Sequence, residues 1–502
     1  MPIIRSRVAL NSPIFPLLSE NMGRSAIVNW YDSPQPSEQQ QPQVYYAHNV
    51  MPTHEGYQSV AYTQIISPAL FNDFDNVFTI REGSTNRQAL FAVTKEGKFA
   101  VATLSNPNWV EVAAPVGIAN KFITTAYVRG ITYFFIYRFG CYVYNFDTNT
   151  MNPVSLTALD VTRVNGIVAN SGYLLAFGES NEIAVSSSVS ATDFTPSLAT
   201  GAFAGSIEGA QGETVAAIST QSGVIFLQRN NAVAAVFSSN GRYPFNFNVI
   251  IGSGGSSDPN FAAHLTLDSP VAYAYTTSGL QIIDTREAKF ILPEITDFLS
   301  GRRLETFNEF TNTLTVTTPT NVLKKKLAWI ADRYLVISYG DGALTHAIIV
   351  DVALNRIGKL KVDHVAIFEF TLYDQTIYET PKKSIGVLKS DGTVYVVNTD
   401  LTATGSNGVM ILGKYQFVRT NWIQLVQVDL ENIPTPADFQ LLLAYTYDGK
   451  VLQTPIAGYN RGDTGLNQTY LFDKTALAHS LICKGRFNLV SGVIGFNVTG
   501  TL

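Results

Sequence analysis

The sequence predicts an all-β protein: a β-propeller of six or seven blades with an extended N-terminal arm and a small C-terminal β-sandwich. Three observations predict it. From about residue 59 to 413, short aromatic and β-branched runs alternate with Gly, Asn and Asp turns, and helical periodicity is almost absent. Five segments (127–137, 171–178, 222–227, 278–283 and 391–397) share one arrangement, a small or polar turn usually ending in Gly and followed directly by an apolar strand. A tight hairpin puts a residue at positive φ, where a Cβ clashes, so glycine recurs there. Finally, the arrangement returns at intervals of roughly 40 to 50 residues, the usual propeller period, and a ring of sheets absorbs a chain of this length while protecting its strand edges.

Residues 1–57 differ from the rest. The stretch 32–43, Asp-Ser-Pro-Gln-Pro-Ser-Glu-Gln-Gln-Gln-Pro-Gln, is too rich in Pro and Gln to bury a core of its own and reads as an extended arm. Around it, 27–31 and 44–46 are short β-like runs suited to adding a strand to a sheet of this subunit or the next. The blades then follow in order: 59–112, with 95–98 as a hairpin turn; 121–157, with 147–150 joining two strands; 164–198, whose 186–194 stretch reads as a long polar outer loop; 213–251; 262–298; 304–370; and 383–412. The propeller domain accordingly spans 58–413. In the remainder, 414–502, residues 422–430 read as an alternating run, apolar from 423 and 425, which predicts a strand with one dry face. The run 441–447 meets Asp448-Gly449, a strong hairpin signal, and 486–490 with 493–498 closes a small sandwich.

Composition narrows the function classes. Charged residues make up 15% of the chain, against a globular norm of ~25%, while Tyr and Phe number 24 and 30. Such a chain suits wide, permanent interfaces better than a highly charged surface. With 34 basic and 39 acidic residues the formal net charge is −5, which gives no overall attraction to a polyanion and argues against a dedicated nucleic-acid binder. Cys141 and Cys483 stand in apolar stretches far apart and read as buried free thiols. The N-terminus lacks the apolar core of an export signal, and no run is long and apolar enough for a membrane helix, so the expectation is a soluble chain made in a cytoplasm with no membrane insertion.

No catalytic constellation emerges. The six histidines are scattered and none has ligand spacing, so neither a metal nor a cofactor is expected, and the chain is read as a non-enzyme. The cluster 252–257, Gly-Ser-Gly-Gly-Ser-Ser, lacks the Gly-Lys-Ser/Thr ending of a phosphate loop and a following helix pattern, which leaves a flexible inter-blade loop. Arg461-Gly462-Asp463 lies in an ordinary turn-rich stretch. Lys324, Lys325 and Lys326 form the densest basic run; the plain reading is a solvated strand end, and on the lumen of a ring they become channel-facing cations multiplied by the subunit number. Carboxylates for glycoside cleavage can come from separate blades, but no Ser-x-Asp-x-Gly-x-Thr-Trp repeat is present.

Residues 23–31, Gly-Arg-Ser-Ala-Ile-Val-Asn-Trp-Tyr, are similar to the early Val-Asn-x-Tyr segment of the β-propeller tail nozzle, or packaged-DNA-stabilisation, proteins of short-tailed double-stranded DNA phages. The chain resembles that family further in 52–57 (Pro-Thr-His-Glu-Gly-Tyr), in 181–186 followed by Ala191-Thr192-Asp193-Phe194, in 222–227, in Pro244-Phe245-Asn246-Phe247 and in the 252–259 loop, in the expected order. The Gln-rich arm at 38–43 has no counterpart in it. The resemblance implies a virion protein made in the host cytoplasm. It implies a ring, commonly a hexamer, below the portal and adaptor, which extends the DNA channel, retains the genome and allows its ejection. Contacts with identical neighbours or other tail proteins are then expected from loops and from the arm, through Arg24, Trp30, Tyr31, Tyr45, Tyr46, Asp193, Phe194, Tyr243, Phe245 and Phe247, with DNA passing without sequence-specific binding. The alternatives are a carbohydrate-binding or glycoside-cleaving propeller, which requires a deep acidic pocket on the axis, and a peptide-binding scaffold, which requires an exposed aromatic groove.

Overall fold

The computed structural model describes residues 4–9, 44–54, 56–68, 71–83, 87–103, 106–238, 243–263, 269–292, 299, 304–308, 313–317, 323–354, 356–372, 382–399, 407–415, 421–431, 438–447, 453–463, 467–489 and 492–501. Hairpin-linked antiparallel strands build seven blades among them. Blade one is Phe74–Glu82, Arg87–Thr94, Phe99–Ala102 and Val110–Val112; blade two is Ile123–Val128, Ile131–Ile136, Gly140–Asn145 and Thr150–Val154. Blade three is Val164–Asn170, Tyr173–Gly178, Glu182–Val185 and Phe203–Ser206; blade four is Thr214–Thr220, Gly223–Gln228, Ala232–Phe237 and Phe245–Val249. Blade five has three described strands, Ala272–Thr276, Gly279–Ile283 and Ala288–Phe290, and blade six has Leu323–Ile330, Tyr334–Asp341, Leu344–Asp351 and Arg356–His364. Blade seven joins Ala366–Leu372, Lys382–Leu388 and Val394–Asn398 to Ala61–Ile66, a strand from the other end of the sequence.

The apolar runs are continuous because each blade is covered on both faces. In Val224-Ile225-Phe226-Leu227, Val224 and Phe226 enter the core shared with blade three, whereas Ile225 and Leu227 enter the core shared with blade five. Phe134 and Ile136 likewise face blade one while Tyr133 and Phe135 face blade three. Alternation along a strand thus distributes side chains between two dry cores rather than between core and water. Each such side chain contributes roughly 1.5–3 kcal/mol by leaving water. A separate apolar cluster fills every junction from one–two to six–seven, and the last one packs Ile66, Phe368 and Phe370 of blade seven against Phe74, Val77 and Ala92 of blade one. The ring is therefore closed, and the protein is a β-propeller.

Several expected boundaries move. Residues 61–66 complete blade seven instead of opening blade one, Ala366–Leu372 starts blade seven instead of ending blade six, and the hairpin Leu304–Asn308 with Thr313–Thr317 is a sheet of its own. The connection 252–257 is inter-blade but not loose. Gly254 donates its amide to Gln281 Oε1 at 3.0 Å, Ser256 donates to the Gln228 carbonyl at 2.7 Å, and both residues are buried.

The second body is a sandwich that uses both ends of the chain. One sheet runs Ile4–Ala9, Gly492–Thr501, Asn421–Glu431, Asn467–Ala476, Tyr459–Asp463; the other runs Val44–His48, Gly408–Tyr415, Ala478–Gly485, Phe439–Thr446, Ile456–Ala457. Ala47, Met410, Leu412, Leu425, Val428, Leu443, Leu481 and Ile494 fill the space between them. The expected extended arm is thus partly a sandwich element that adds its strands within its own subunit, one of the two outcomes expected, and Gly408–Tyr415, placed in the propeller by sequence up to 413, belongs here. A register shift between Leu425 and Gln427 breaks the single alternation expected for 422–430, so the buried positions become 425, 428 and 430. The expected Asp448-Gly449 turn lies outside the described residues.

Two glycines separate steric from conformational cost. A Cβ on Gly255 would lie 1.8 Å from the Arg229 carbonyl oxygen, whereas one on Gly172, at φ +78°, would meet nothing within 4 Å. Gly255→Ala is expected to lower the unfolding free energy by ~3 kcal/mol through overpacking, and Gly172→Ala by about 1 kcal/mol through backbone strain alone. Chemical denaturation of the two variants checks the order; equal losses would contradict it.

Candidate functional site

Inner strands meet around the propeller axis, and polar side chains tie one blade to the next. Asn170 closes the inner strand of blade three; its amide nitrogen donates to Ser219 Oγ at 3.0 Å and to the carbonyls of Thr220 and Gly223 at 2.9 and 3.3 Å in blade four. Thr220 and Thr276 repeat a local device, each hydroxyl donating to the carbonyl of the glycine three residues on, at 2.9 and 3.0 Å. Outside the axis, the Arg138 guanidinium reaches Glu179, Glu213 Oε1 (3.2 Å) and Asn165 Oδ1 (3.2 Å), and Arg229 bonds the other Glu213 oxygen. Arg129 clamps the carbonyls of Gly172, Ser187 and Ser188. These arginines and asparagines were not singled out from the sequence. The repeated Asn/Thr-x-(Ser)-Gly at inner-strand ends (Asn170 to Gly172, Thr220 to Gly223, Thr276 to Gly279) is the signal that marks the hairpin members of this set.

The expected channel lysines lie on Leu323–Ile330, the inner strand of blade six. Lys324 is exposed. Lys325 lies over the rings of Tyr275 and Phe261 at 4.9 and 5.8 Å, and Lys326 is half-buried and donates to Asn76 Oδ1 at 3.0 Å. Burial pushes Lys325 down from its ordinary value and Lys326 to about 8. Two of the three cations are therefore engaged within the chain: Lys325 turns toward neighbouring blade five, and Lys326 reaches Asn76 on the inner strand of blade one.

The expected contact residues divide. Arg24, Trp30 and Tyr31 lie outside the described residues. Tyr45 falls at the register shift where Val44–His48 pairs with Gly408–Tyr415, and Tyr46 is buried with the Lys359 ammonium 5.4 Å from its ring, so this run adds its strand to its own subunit. Phe194 is 1% exposed and sits in the core between blades two and three; Phe245 is 2% exposed, between three and four. Neither projects as a contact. The 186–194 stretch folds back because Ser187 donates to the Asp193 carbonyl at 2.7 Å and Phe194 to the Thr157 carbonyl at 3.0 Å. The Asp193 carboxylate accepts the Thr195 amide at 3.0 Å, and the Thr195 hydroxyl first and that amide second lower its pKa.

Tyr243 remains outward, 5.0 Å from the Phe203 ring, and Phe247 packs half-buried beside it. They open an apolar outer edge on blades four and five, formed by Phe237, Tyr243, Val249, Ile251 (77% exposed) and Phe290. Ile251 bridges to Glu287 beside the outer strand of blade five, which brings the two parts of the edge together. Scattered apolar surface is ordinary, but several large exposed side chains, Phe237 and Tyr243 toward one end of the strand Phe245–Val249 and Val249 and Ile251 at the other, on two adjoining blades are the kind of surface that protein partners cover.

A cleft between blades seven and one, lined by Ile65, Thr79, Leu90, Ala102, Phe370 and Thr371 among others, holds about 30 Å³. That is room for about one water, far below the ~300–1,000 Å³ of small-molecule sites. Among the described residues no three or more His, Cys, Asp or Glu side chains are grouped to hold a metal, and no helix is long and apolar enough to cross a membrane. Both cysteines are buried and free, with thiols pushed up to about 12 by burial.

No family model and no curated protein matches the chain. Among solved structures it is similar to the WD40 β-propeller domain of Doa1, at 10% identity and a TM-score of 0.39, over 68% of this chain and 98% of that one.

Asn170→Ala is expected to lower stability by about 2 kcal/mol, since it leaves the buried Thr220 carbonyl short of a donor and removes the tie to Ser219; a loss within error of zero in denaturant titration would contradict this. Lys326 titrates lower in the folded chain than its ordinary 10.5, so between about 8 and 10.5 the unfolded chain binds the extra proton and folding strengthens as pH rises. Stability of wild type relative to Lys326→Met is expected to increase from pH 8 to 10. A flat difference would place the ammonium in water.

Proposed function

We propose that this chain is a structural, non-catalytic nozzle protein of a short-tailed phage. Copies form a ring, a hexamer in the simplest case, that docks below portal and adaptor, continues the DNA channel and holds packaged DNA until ejection. The observation that carries the reading is the apolar outer edge of blades four and five on an otherwise closed propeller. A closed ring of sheets resists deformation because its blade faces are already buried, and it leaves outer strands and loops to grip neighbours.

Other features support the same reading. The pattern of 181–194, 222–227 and 244–259 follows the family order. The net charge of −5 suits a passage that repels a polyanion rather than trapping it. The two engaged lysines leave Lys324 as the exposed cation of that run.

Mass photometry and negative-stain imaging test the proposal. A ring is expected from the purified chain or on mixing with the other virion components of the same phage, and Val249→Asp with Ile251→Asp is expected to reduce ring formation at least tenfold while leaving the melting profile of the monomer near wild type. A 54.8 kDa monomer under all of these conditions would overturn it.

A further inference from the structure

The hairpin Val50–Pro52 and Tyr57–Ser59 extends the sheet of blade six, with Val50 opposite Lys359 and Tyr57 opposite Leu489 of the C-terminal region. Propeller and sandwich are therefore joined along the outer strand of blade six. A cross-strand row, Lys325, Tyr339, His346 and Lys361, crosses one face of that blade. The register shift between Leu344 and His346 brings His364, opposite Leu344, onto the face that carries Lys361. His48 arrives from the sandwich strand Val44–His48, two residues before Val50.

This seam is short of acceptors. His346 stacks on Tyr339 with ring centres 5.4 Å apart, and its Nδ1 meets Thr345 Oγ1 at 2.8 Å, while its buried Nε2 has no partner. His364 Nδ1 donates to the Val362 carbonyl at 2.7 Å, and its buried Nε2 has no partner either. His48 Nδ1 is in the same condition. All three residues are less than one-tenth exposed. Neutral imidazoles tolerate this arrangement, with a bare lone pair at each lone nitrogen, but protonated ones would each add a buried N–H with nothing to accept it.

The surrounding charges act mostly in one direction. Lys359 and Lys361 of blade six's outer strand bear on both His48 and His346, and His48 and His364 also bear on His346. His364 faces Lys326 of the inner strand and Asp363 of its own, the latter being the carboxylate that favours its charged form.

We propose that this seam is an acid-sensitive latch, in which proton uptake by His48, His346 and His364 loosens the strand Val44–His48 and its sandwich sheet from blade six while the propeller ring stays closed. Burial first, and then the lysines, hold His48 down to about 4 and His346 to about 3; burial, with Lys326 in a smaller role, holds His364 to about 4. An opened seam would titrate near the ordinary 6.5, so it takes up protons that the closed one refuses. The latch is at full strength above pH 6.5 and weakens as pH falls toward 4.

Native-state hydrogen exchange, corrected for intrinsic rates, tests this on the full chain. Between pH 7 and pH 5, protection of the amides in Val44–His48 and Arg356–His364 is expected to fall roughly thirtyfold or more, while amides of Val164–Asn170 and Thr214–Thr220 change less than about threefold. The triple variant His48→Gln, His346→Gln, His364→Gln is expected to flatten the difference. Nitrogen NMR of labelled wild-type histidines reads the protonation directly, and keeps the test decisive should the variant fail to fold. An equal loss of protection in seam and ring, an unchanged pH profile in the variant, or seam imidazoles that protonate near 6.5 without opening would each overturn the proposal.

Discussion

Closure of the blade ring by Ala61–Ile66 is the constraint on which the rest of the architecture depends. A blade is dry on both faces only if it has a neighbour on each side, so an open row of seven sheets would leave two apolar faces in water. Pairing residues 61–66 with Val394–Asn398 completes blade seven, and Ile66 then joins the cluster that packs blade seven on blade one. The cost is the ordering of a loop of more than three hundred residues, but closure entropy grows only logarithmically with length. A continuous set of buried side chains outweighs it.

Double-sided burial also explains the chain's polar chemistry. With little charge to spend on its surface, the protein relies on Asn, Thr, Ser and Gln, and many of these are inside. Asn170 gives the backbone end of the neighbouring blade, and Thr220 that of its own hairpin, the donors they lack where strands turn. Such groups fix the angle between blades more sharply than apolar contacts do, because a hydrogen bond tolerates less displacement than a hydrophobic contact. Arg129 and Arg138 do the same work nearer the surface, where water screens their charges and leaves geometry as their main contribution.

The sandwich obeys a different rule. It has a dry interior between its sheets and a second buried apolar cluster, Tyr46, Val409, Ile411, Leu442, Ala444 and Ile482, on the other face of one sheet, and it is joined to the propeller through the Val50–Pro52 hairpin, the Ser59 hydroxyl, which accepts the Phe487 amide at 2.9 Å, and the imidazole seam. Ring and sandwich therefore differ in what holds them. Apolar area closes the one, and the joint between them carries buried groups whose charge depends on pH. The expected extended arm contributes to this joint because its described strands Ile4–Ala9, Val44–His48 and Val50–Pro52 find partners within the subunit.

The sequence by itself determined the class, the hairpin-by-hairpin order and the existence of a separate C-terminal β unit. These are local properties: positive-φ turns need glycine, and blade strands need unbroken apolar runs. Blades two and four, whose strands are contiguous in sequence, stand where the turns put them. Only the tertiary structure decided that 61–66 belongs to blade seven, that residues 4–9 and 44–48 complete the sandwich, and that Phe194, Phe245 and Tyr46 are interior. A strand edge accepts any partner of suitable register, and an aromatic side chain suits a core and an interface equally well. Which of these is realised depends on contacts between residues tens to hundreds of positions apart, and that separation carries no local sequence signal.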